Sequence, residues 1–294
     1  MTFVPQGFAE QLVDHDGDAA RAWLDGLPEL AARYADRWRL TFDGAPMHGY
    51  AGLILPAVRD DDTRVVLKLS YPGPETKDEP VALAAWDGEG AVRLLDCDRA
   101  DDVLLLERLD STRSLDDEPI DSAVRTAAAL LRRLAVPAPP GLSRDLRTEA
   151  AAMVEELPAD WANLGEPFPR KLLDAAVDAC AQLGPTADRL LVNEDLHYEN
   201  VLAGEREPWL VIDPKPLIGD LEFTTLALLW NRMPESGLDD RFAALVDIAC
   251  LDPDRARAWT LVRAVRNWLW FLDDEDTEDD GYLAVQTIAP WALC

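Results

Sequence analysis

The chain has 294 residues, room for about two domains of ~150 residues each. Hydrophobic residues make up 48% and charged residues 29%, so a sizeable core can form and global disorder is excluded. Against 56 Asp plus Glu stand 28 Lys plus Arg, a net charge of −28 with no local basic patch, which argues against nucleic acid and against an anionic membrane surface as partners.

The N-terminal stretch MTFVPQGFAEQLVDHDGDAAR has no Lys or Arg before Arg21 and no signal-type apolar run. No apolar run approaches the ~18 residues of a membrane span. Cys97, Cys180, Cys250 and Cys294 are widely spaced with no CxxC pair, which fits reduced thiols better than a zinc site. A soluble, cytoplasmic protein is expected.

Residues 7–36 have helical periodicity in two pieces, with a break expected near Gly26-Leu27-Pro28. WRLTFDG (37–43), YAGLILPAV (50–58) and RVVLKLS (64–70) then read as strands. A helix is expected from Glu75 to Trp86, followed by strands at AVRLLDCD (91–98) and DVLLLERL (102–109). Beyond Leu109 helices take over, at Ile120–Leu134, Leu146–Leu157 and Pro169–Leu183, with the Pro-rich loop VPAPPGL (136–142) among them. A second β signal spans 189–214, and more helix runs on to Phe271. The expected architecture is α+β and bilobal: a small β-rich lobe over 1–109 and a larger helical lobe over 110–294.

The chemistry concentrates in the second β signal. Two apolar runs, Val201-Leu202-Ala203 and Trp209 to Ile212, flank the turn formers Gly204 to Pro208 and predict a hairpin. Centred near Arg206, it pairs positions whose numbers sum to roughly 412 or 413, so Asn200 and Asp213 are expected to face each other at its open end. Asp195 lies five residues before Asn200 and must loop into the same end. This set suits phosphoryl transfer: Asn200 and Asp213 offer hard oxygen ligands to Mg²⁺, and Asp195 is a separate base for an acceptor hydroxyl. Alternatively, each is an ordinary turn or cap residue.

Only four residues are lysines (Lys68, Lys77, Lys171 and Lys215), and Lys68 stands inside the apolar strand VVLKLS. An unpaired ammonium is costly to bury there, so a partner is expected in Glu79, or in Glu75 one helical turn away, with the ammonium turned to nucleotide phosphates. The other possibility is an edge-strand lysine reaching solvent. His48-Gly49-Tyr50-Ala51-Gly52 lies between strands where glycines allow close phosphate approach, and LLLERLD (104–110) is an extended segment able to hydrogen-bond an adenine edge.

Taken together, Lys68, WDGEGAVRLL (86–95), LLLERL (104–109), DLHYENVL (195–202) and WLVIDPKPLIGD (209–220) resemble the aminoglycoside phosphotransferase branch of the protein-kinase-like fold, in its streptomycin 6-kinase and hydroxyurea phosphotransferase group. The resemblance runs from about Val65 to Arg232. It implies an ATP- and Mg²⁺-dependent kinase for a hydroxyl of a small, cationic, polar molecule such as an aminoglycoside or aminocyclitol. It implies Asp195 as catalytic base, Asn200 and Asp213 as magnesium ligands, Lys68 as phosphate lysine with Glu79, Glu107 to Leu109 as adenine hinge, and the loop at His48 and Gly49 as phosphate neighbour. Two departures stand out: Asn193-Glu194 replaces the usual His-Gly before the base, and Thr224 replaces a common Asp after Gly219-Asp220. Glu194 is a like charge that should raise the pKa of Asp195 unless it points away.

Other features have ordinary readings. His197 is expected to be a structural hydrogen-bonding residue; His15 and His48 lack metal-ligand spacing. Lys215, two after Asp213, reads equally as a phosphate or substrate contact and as a surface residue. The acidic run Asp273 to Asp280 is expected to be a solvated loop, and Trp268 to Phe271 to be helix core. Acidic residues from the helices at Leu146–Leu157 and Arg255–Asp274 are expected beside Asp195 to receive a cationic acceptor. The alternatives are a kinase for an amino sugar, hydroxyurea or another hydroxylated metabolite, a degenerate nucleotide-binding module, or a metal-dependent hydrolase, which leaves Lys68 unexplained. Oligomeric state is not fixed by the sequence.

Overall fold

A computed structural model describes residues 3–73, 76–233, 235–274 and 276–294. The chain divides into two compact units, Met1–Asp110 and Ser111–Cys294. No helix among the described residues is long and apolar enough to cross a membrane, and all four cysteines are free thiols.

The first unit runs α1 (Gln6–Trp38), β1 (Leu40–Phe42), β2 (Met47–His48), β3 (Gly52–Arg59), β4 (Arg64–Ser70), α2 (Glu79–Trp86), β5 (Leu94–Asp98) and β6 (Val103–Glu107). Its sheet is antiparallel in the order β1-β3-β4-β6-β5, with β2 paired to β3. Alternation along β4 sorts side chains by face. Leu67 and Leu69 join Phe8, Leu24, Leu27 and Tyr34 of α1 in one core; Lys68 takes the other face.

The two helical pieces at the N-terminus meet at Gly17, not near Gly26. Gly17 has φ 57°, ψ −126°, a conformation glycine adopts without a Cβ penalty. Pro28 stays inside the helix. An interior proline costs about 3 kcal/mol, which burial of Leu24, Leu27, Ala31 and Tyr34 around it offsets at ~1.5–3 kcal/mol for each large apolar side chain.

The second unit starts with β7 (Asp110–Ser114) at the division and continues α3 (Ile120–Leu134), β8 (Val136–Pro137), α4 (Leu146–Asn163), α5 (Arg170–Leu183), β9 (Leu190–Asn193), β10 (Val201–Ala203), β11 (Leu210–Val211), β12 (Pro216–Gly219), α6 (Thr225–Trp230), α7 (Leu238–Ala249), α8 (Pro253–Asp273) and α9 (Asp280–Ala292). Two short three-stranded sheets, β11-β10-β7 and β12-β9-β8, sit among these helices. α4 runs past the expected Leu157, through Pro158, because Trp161 is buried one turn further on. The sequence reading ended at Phe271 and missed α9, which buries Ala284, Val285, Ile288 and Ala289. In the aromatic run, Leu269 and Phe271 are buried as expected, whereas Trp270 is exposed.

Thr224 turns inward and donates to the Leu221 carbonyl at 2.7 Å. The carboxylate that matters is Asp220. It is fully buried and accepts from the Asp188 N–H at 2.6 Å, Arg255 Nε at 2.6 Å and Trp259 Nε1 at 2.7 Å. One side chain thereby ties the segment before β9 to α8 beneath the β9–β12 pair. Asp220→Ala strands the buried Trp259 donor, the part-buried Asp188 N–H and one arginine, and should cost about 3–5 kcal/mol of stability by urea denaturation; a loss below about 1 kcal/mol would contradict this role.

Candidate active site

In the first unit, Lys68 lies on a central strand, its Cα opposite Ile54 of β3 and Leu104 of β6. The residue is 5% exposed, so it is not an edge lysine reaching solvent. Its Nζ donates to both carboxylate oxygens of Glu79, at 2.8 and 2.7 Å, and Glu79 is 1% exposed in the first turn of α2. Two-oxygen contact is what a buried pair needs to offset desolvation. Glu75, the other expected partner, lies outside the described residues. Gly52 gives the lysine its room: a Cβ there would sit 3.3 Å from Lys68 Cε.

His48 ends β2 with its ring 5.2 Å from that of Phe8, and the Gly49 N–H closes a tight turn onto the Gly52 carbonyl at 3.0 Å. Both residues are exposed. At the other end of the sheet, Glu107 exchanges backbone for side chain with Arg93: its N–H donates to the Arg93 carbonyl at 3.0 Å, and its Oε1 accepts the Arg93 N–H at 2.7 Å. Leu109 follows outside the ladder and is half-buried.

In the second unit two loops meet where β9 pairs with β12. The first, residues 194–200, links β9 to β10; the second, residues 212–215, links β11 to β12. The hairpin register sums to 412, with Val201 opposite Val211 and Leu202 opposite Leu210. Asn200 therefore bonds across to Ile212, whose N–H reaches the Asn200 carbonyl at 2.9 Å, and does not face Asp213 as a ladder partner. Asp213 is the next residue out and leaves the strand with φ 48°, in the left-handed region that Asp tolerates better than most residues.

Asn193 fastens the two loops together. Its Oδ1 accepts the N–H of Asp195 at 3.1 Å and that of Lys215 at 3.0 Å, while the Glu194 N–H donates to the Lys215 carbonyl at 3.1 Å. Asn200 Nδ2 donates to the Asp195 carbonyl at 3.2 Å. Tyr198 anchors the intervening 3₁₀ turn: it is fully buried, and its hydroxyl donates to the Leu228 carbonyl at 2.8 Å. His197 does not play the hydrogen-bonding part expected of it through Nδ1, which is buried without a hydrogen-bond partner among the described residues, 3.9 Å from the Glu199 carboxylate.

Burial pushes the Asp195 carboxyl above its ordinary value; Lys215 is the first cation to oppose this, followed by His197 and Arg263, while Asp213 adds to the rise. Lys215 Nζ stands 3.6 Å from Asp195 Oδ2. Glu194 is not among the leading causes of this rise; its carboxylate points to Arg144. Its own carboxyl stays below the ordinary range: burial raises it, and Arg144 and Arg263 more than compensate.

The expected acidic lining from α4 and α8 is not what those helices supply. Between Arg255 and Leu272, α8 has no Asp or Glu, and its buried charge is Arg263. On α4, the Glu149 carboxylate is engaged by Arg144 at 2.9 Å and Arg266 at 3.6 Å, and Glu155 and Glu156 are exposed. The sequence reading missed Arg144 and Arg263, and weighed Lys215 only evenly. The available signals were an arginine inside the apolar helix run TLVRAV and a Glu beside the candidate base.

Asn200 and Asp213 fit a divalent cation in donor chemistry. With Nδ2 tied to the Asp195 carbonyl, Asn200 keeps Oδ1 as its remaining acceptor, and Asp213 adds a carboxylate at the adjacent loop. No group of three or more His, Cys, Asp or Glu gathers as a metal site among the described residues. Two hard oxygen donors suit an ion that completes its shell with phosphate oxygens and water.

A model of the family described as aminoglycoside/hydroxyurea antibiotic resistance kinase matches residues 37–275. Streptomycin 6-kinase of Streptomyces griseus is 46% identical over 282 residues, covering 92% of this chain and 91% of that one. Hydroxyurea phosphotransferase of Kitasatospora aureofaciens is 44% identical over 275 residues, covering 92% and 81%. Among solved structures, a thermostable mutant of aminoglycoside phosphotransferase APH(4)-Ia in a ternary complex with ADP and hygromycin B aligns with a TM-score of 0.61 at 15% identity, covering 89% of this chain and 97% of that one, a likeness of fold.

The electrostatics around Asp195 can be measured directly. By carboxyl-carbon NMR it should titrate above the ~3.9 of an ordinary aspartate, and Lys215→Met should move the midpoint further up by removing the first opposing cation. A midpoint at or below 3.9, or one unmoved in Lys215→Met, would overturn this reading.

Proposed function

Because this chain belongs to the aminoglycoside/hydroxyurea antibiotic resistance kinase family, we propose that it transfers the γ-phosphoryl group of ATP to a hydroxyl of a cationic aminoglycoside or aminocyclitol in the cytoplasm, with streptomycin the first acceptor to test. It is an ATP-dependent phosphotransferase with an alcohol acceptor, of the antibiotic-resistance type. The observation that carries the residue assignment is the junction at Asn193, where Asp195, Asn200, Asp213 and Lys215 are brought onto two interlocked loops.

In this reading Asp195 is the catalytic base. Its carboxylate accepts the acceptor's hydroxyl proton as the oxygen attacks, and its backbone is held on both sides so that little reorganisation is needed. Lys68, held by Glu79, pairs with nucleotide phosphates; the turn at His48 and Gly49 approaches them through backbone; and Glu107 to Leu109 present backbone groups to the adenine. Asn200 Oδ1 and the Asp213 carboxylate would hold Mg²⁺, which when bound neutralises charge on the phosphate oxygens. A cationic acceptor is favoured by the net charge of −28, although only carboxylates within a Debye length of ~8 Å act strongly at physiological ionic strength.

A second acceptor, hydroxyurea, is supported by a nearly equal identity, 44% against 46%, to the phosphotransferase named for it. A coupled assay of ATP turnover with streptomycin, hydroxyurea and a neutral sugar separates the readings. The expected result is turnover with streptomycin well above the other two; turnover only with hydroxyurea installs the second reading, and none with either overturns both. Asp195→Asn should lower kcat by about 10²–10⁴-fold with the fold retained. Lys68→Ala should reduce turnover chiefly through weakened use of ATP, and full activity in either variant would refute the assignment.

A further inference from the structure

The residue before the proposed base is a glutamate, and the structure uses every polar group it has. The Glu194 N–H donates to the Lys215 carbonyl at 3.1 Å. Its carbonyl accepts from Arg263 Nη1 at 2.9 Å, and the same nitrogen reaches the Phe223 carbonyl at 3.3 Å. Its carboxylate pairs with Arg144 Nη1. Arg144 in turn grips Glu149 of α4 through Nε at 2.9 Å and Nη2 at 3.1 Å, and its backbone carbonyl accepts from Ile218 of β12 at 3.0 Å. Glu194 is 7% exposed and Arg263 9%.

Two contacts act on the peptide plane between Glu194 and Asp195. The Glu194 carbonyl and the Asp195 N–H belong to one planar unit: Arg263 holds the first, and Asn193 Oδ1 holds the second at 3.1 Å. The following peptide is held as well, because the Asp195 carbonyl accepts from Asn200 Nδ2 at 3.2 Å. The Cα of Asp195 is thus fixed from both sides, and its side chain inherits that direction. A glycine at position 194 would still offer its carbonyl to Arg263 but could not hold Arg144; the carboxylate supplies that second attachment and gives the partly buried guanidinium of Arg144 a counter-charge.

We propose that Glu194, clamped by Arg144 at its carboxylate and by Arg263 at its carbonyl, is a positioning residue that sets the orientation of Asp195 for phosphoryl transfer. The inference rests on the reading of Asp195 as the base. It accounts for the Asn193-Glu194 pair as a working alternative to His-Gly: the loop is held by a partly buried arginine from the segment before α4 and a buried one from α8.

The test compares full-length variants by kcat and KM, with the folded fraction measured by circular dichroism at the assay temperature. Turnover is read with streptomycin, and as basal ATP hydrolysis if streptomycin gives none, so loss of the aminoglycoside reading is scored on the wild type alone. Glu194→Gln should lower kcat per folded molecule about 10–100-fold and leave KM for ATP and for acceptor within about 3-fold. Arg144→Met should do the same, while Arg144→Lys, which keeps the charge, should recover to within about 5-fold of wild type. The double variant Glu194→Gln/Arg144→Met should be no worse than the poorer single, as expected for residues acting as a unit. If Glu194→Gln does not fold, the Lys-against-Met contrast at Arg144 decides. Wild-type kcat per folded molecule in Glu194→Gln or in Arg144→Met, whatever the loss of thermal stability, would overturn the proposal and leave Glu194 a stabilising residue only.

Discussion

The candidate site of the second unit is built around one amide oxygen. Asn193 Oδ1 accepts two backbone N–H groups that are 20 residues apart in the chain, those of Asp195 and Lys215. Both belong to loops leaving a β9–β12 ladder in which Asn193 itself is opposite Pro216. A proline has no N–H to offer the ladder; one further backbone bond, Glu194 N–H to the Lys215 carbonyl, follows it, and the Asn193 side chain adds the two that hold the loops. The loops then diverge under a constraint set at their root. Displacing that oxygen would leave two part-buried donors unsatisfied, at up to ~1–3 kcal/mol each.

Around that root the protein handles buried charge in three ways. Lys68 and Glu79 form a closed pair with both carboxylate oxygens engaged. Asp220 neutralises Arg255 and takes two neutral donors besides. Arg241, 2% exposed, donates instead to the carbonyls of Leu228, Leu229, Asn231 and Arg232 at and beyond the end of α6. Those are the groups a helix leaves unpaired at its C-terminus, where a cation is favoured. Each arrangement satisfies the polar atoms locally, the condition under which burial does not become a liability.

The same logic explains why the acidity of the chain did not translate into an acidic wall on α8. With −28 overall, most carboxylates are on the surface, where solvent screens them. Helix α8 is enclosed: Trp259 is fully buried against the Phe223 ring, and Ala256, Val262, Ala264 and Val265 are buried with it. Such a helix admits charge only where a partner is in place. Arg263 qualifies because loop carbonyls and the Glu194–Asp195 segment lie against it.

What the sequence determined by itself was the local grammar. A lysine in an apolar strand implied a buried partner, because an unpaired ammonium cannot be left there, and Glu79 supplied it. Turn formers between two apolar runs implied the hairpin, and its register fell within the range their spacing allowed. Helices over 120–134 and 170–183 followed from apolar periodicity. Tertiary structure decided what periodicity cannot carry. Gly17 rather than Pro28 breaks the first helix, because the core on α1 retains the proline; α4 runs on because Trp161 finds a pocket. Above all it decided the direction of Glu194. Sequence proximity made that residue a neighbour of Asp195 and hence a source of repulsion; the fold turned it toward an arginine 50 positions away. Charge interactions depend on distance in space, and only packing converts a spacing of 50 residues into contact.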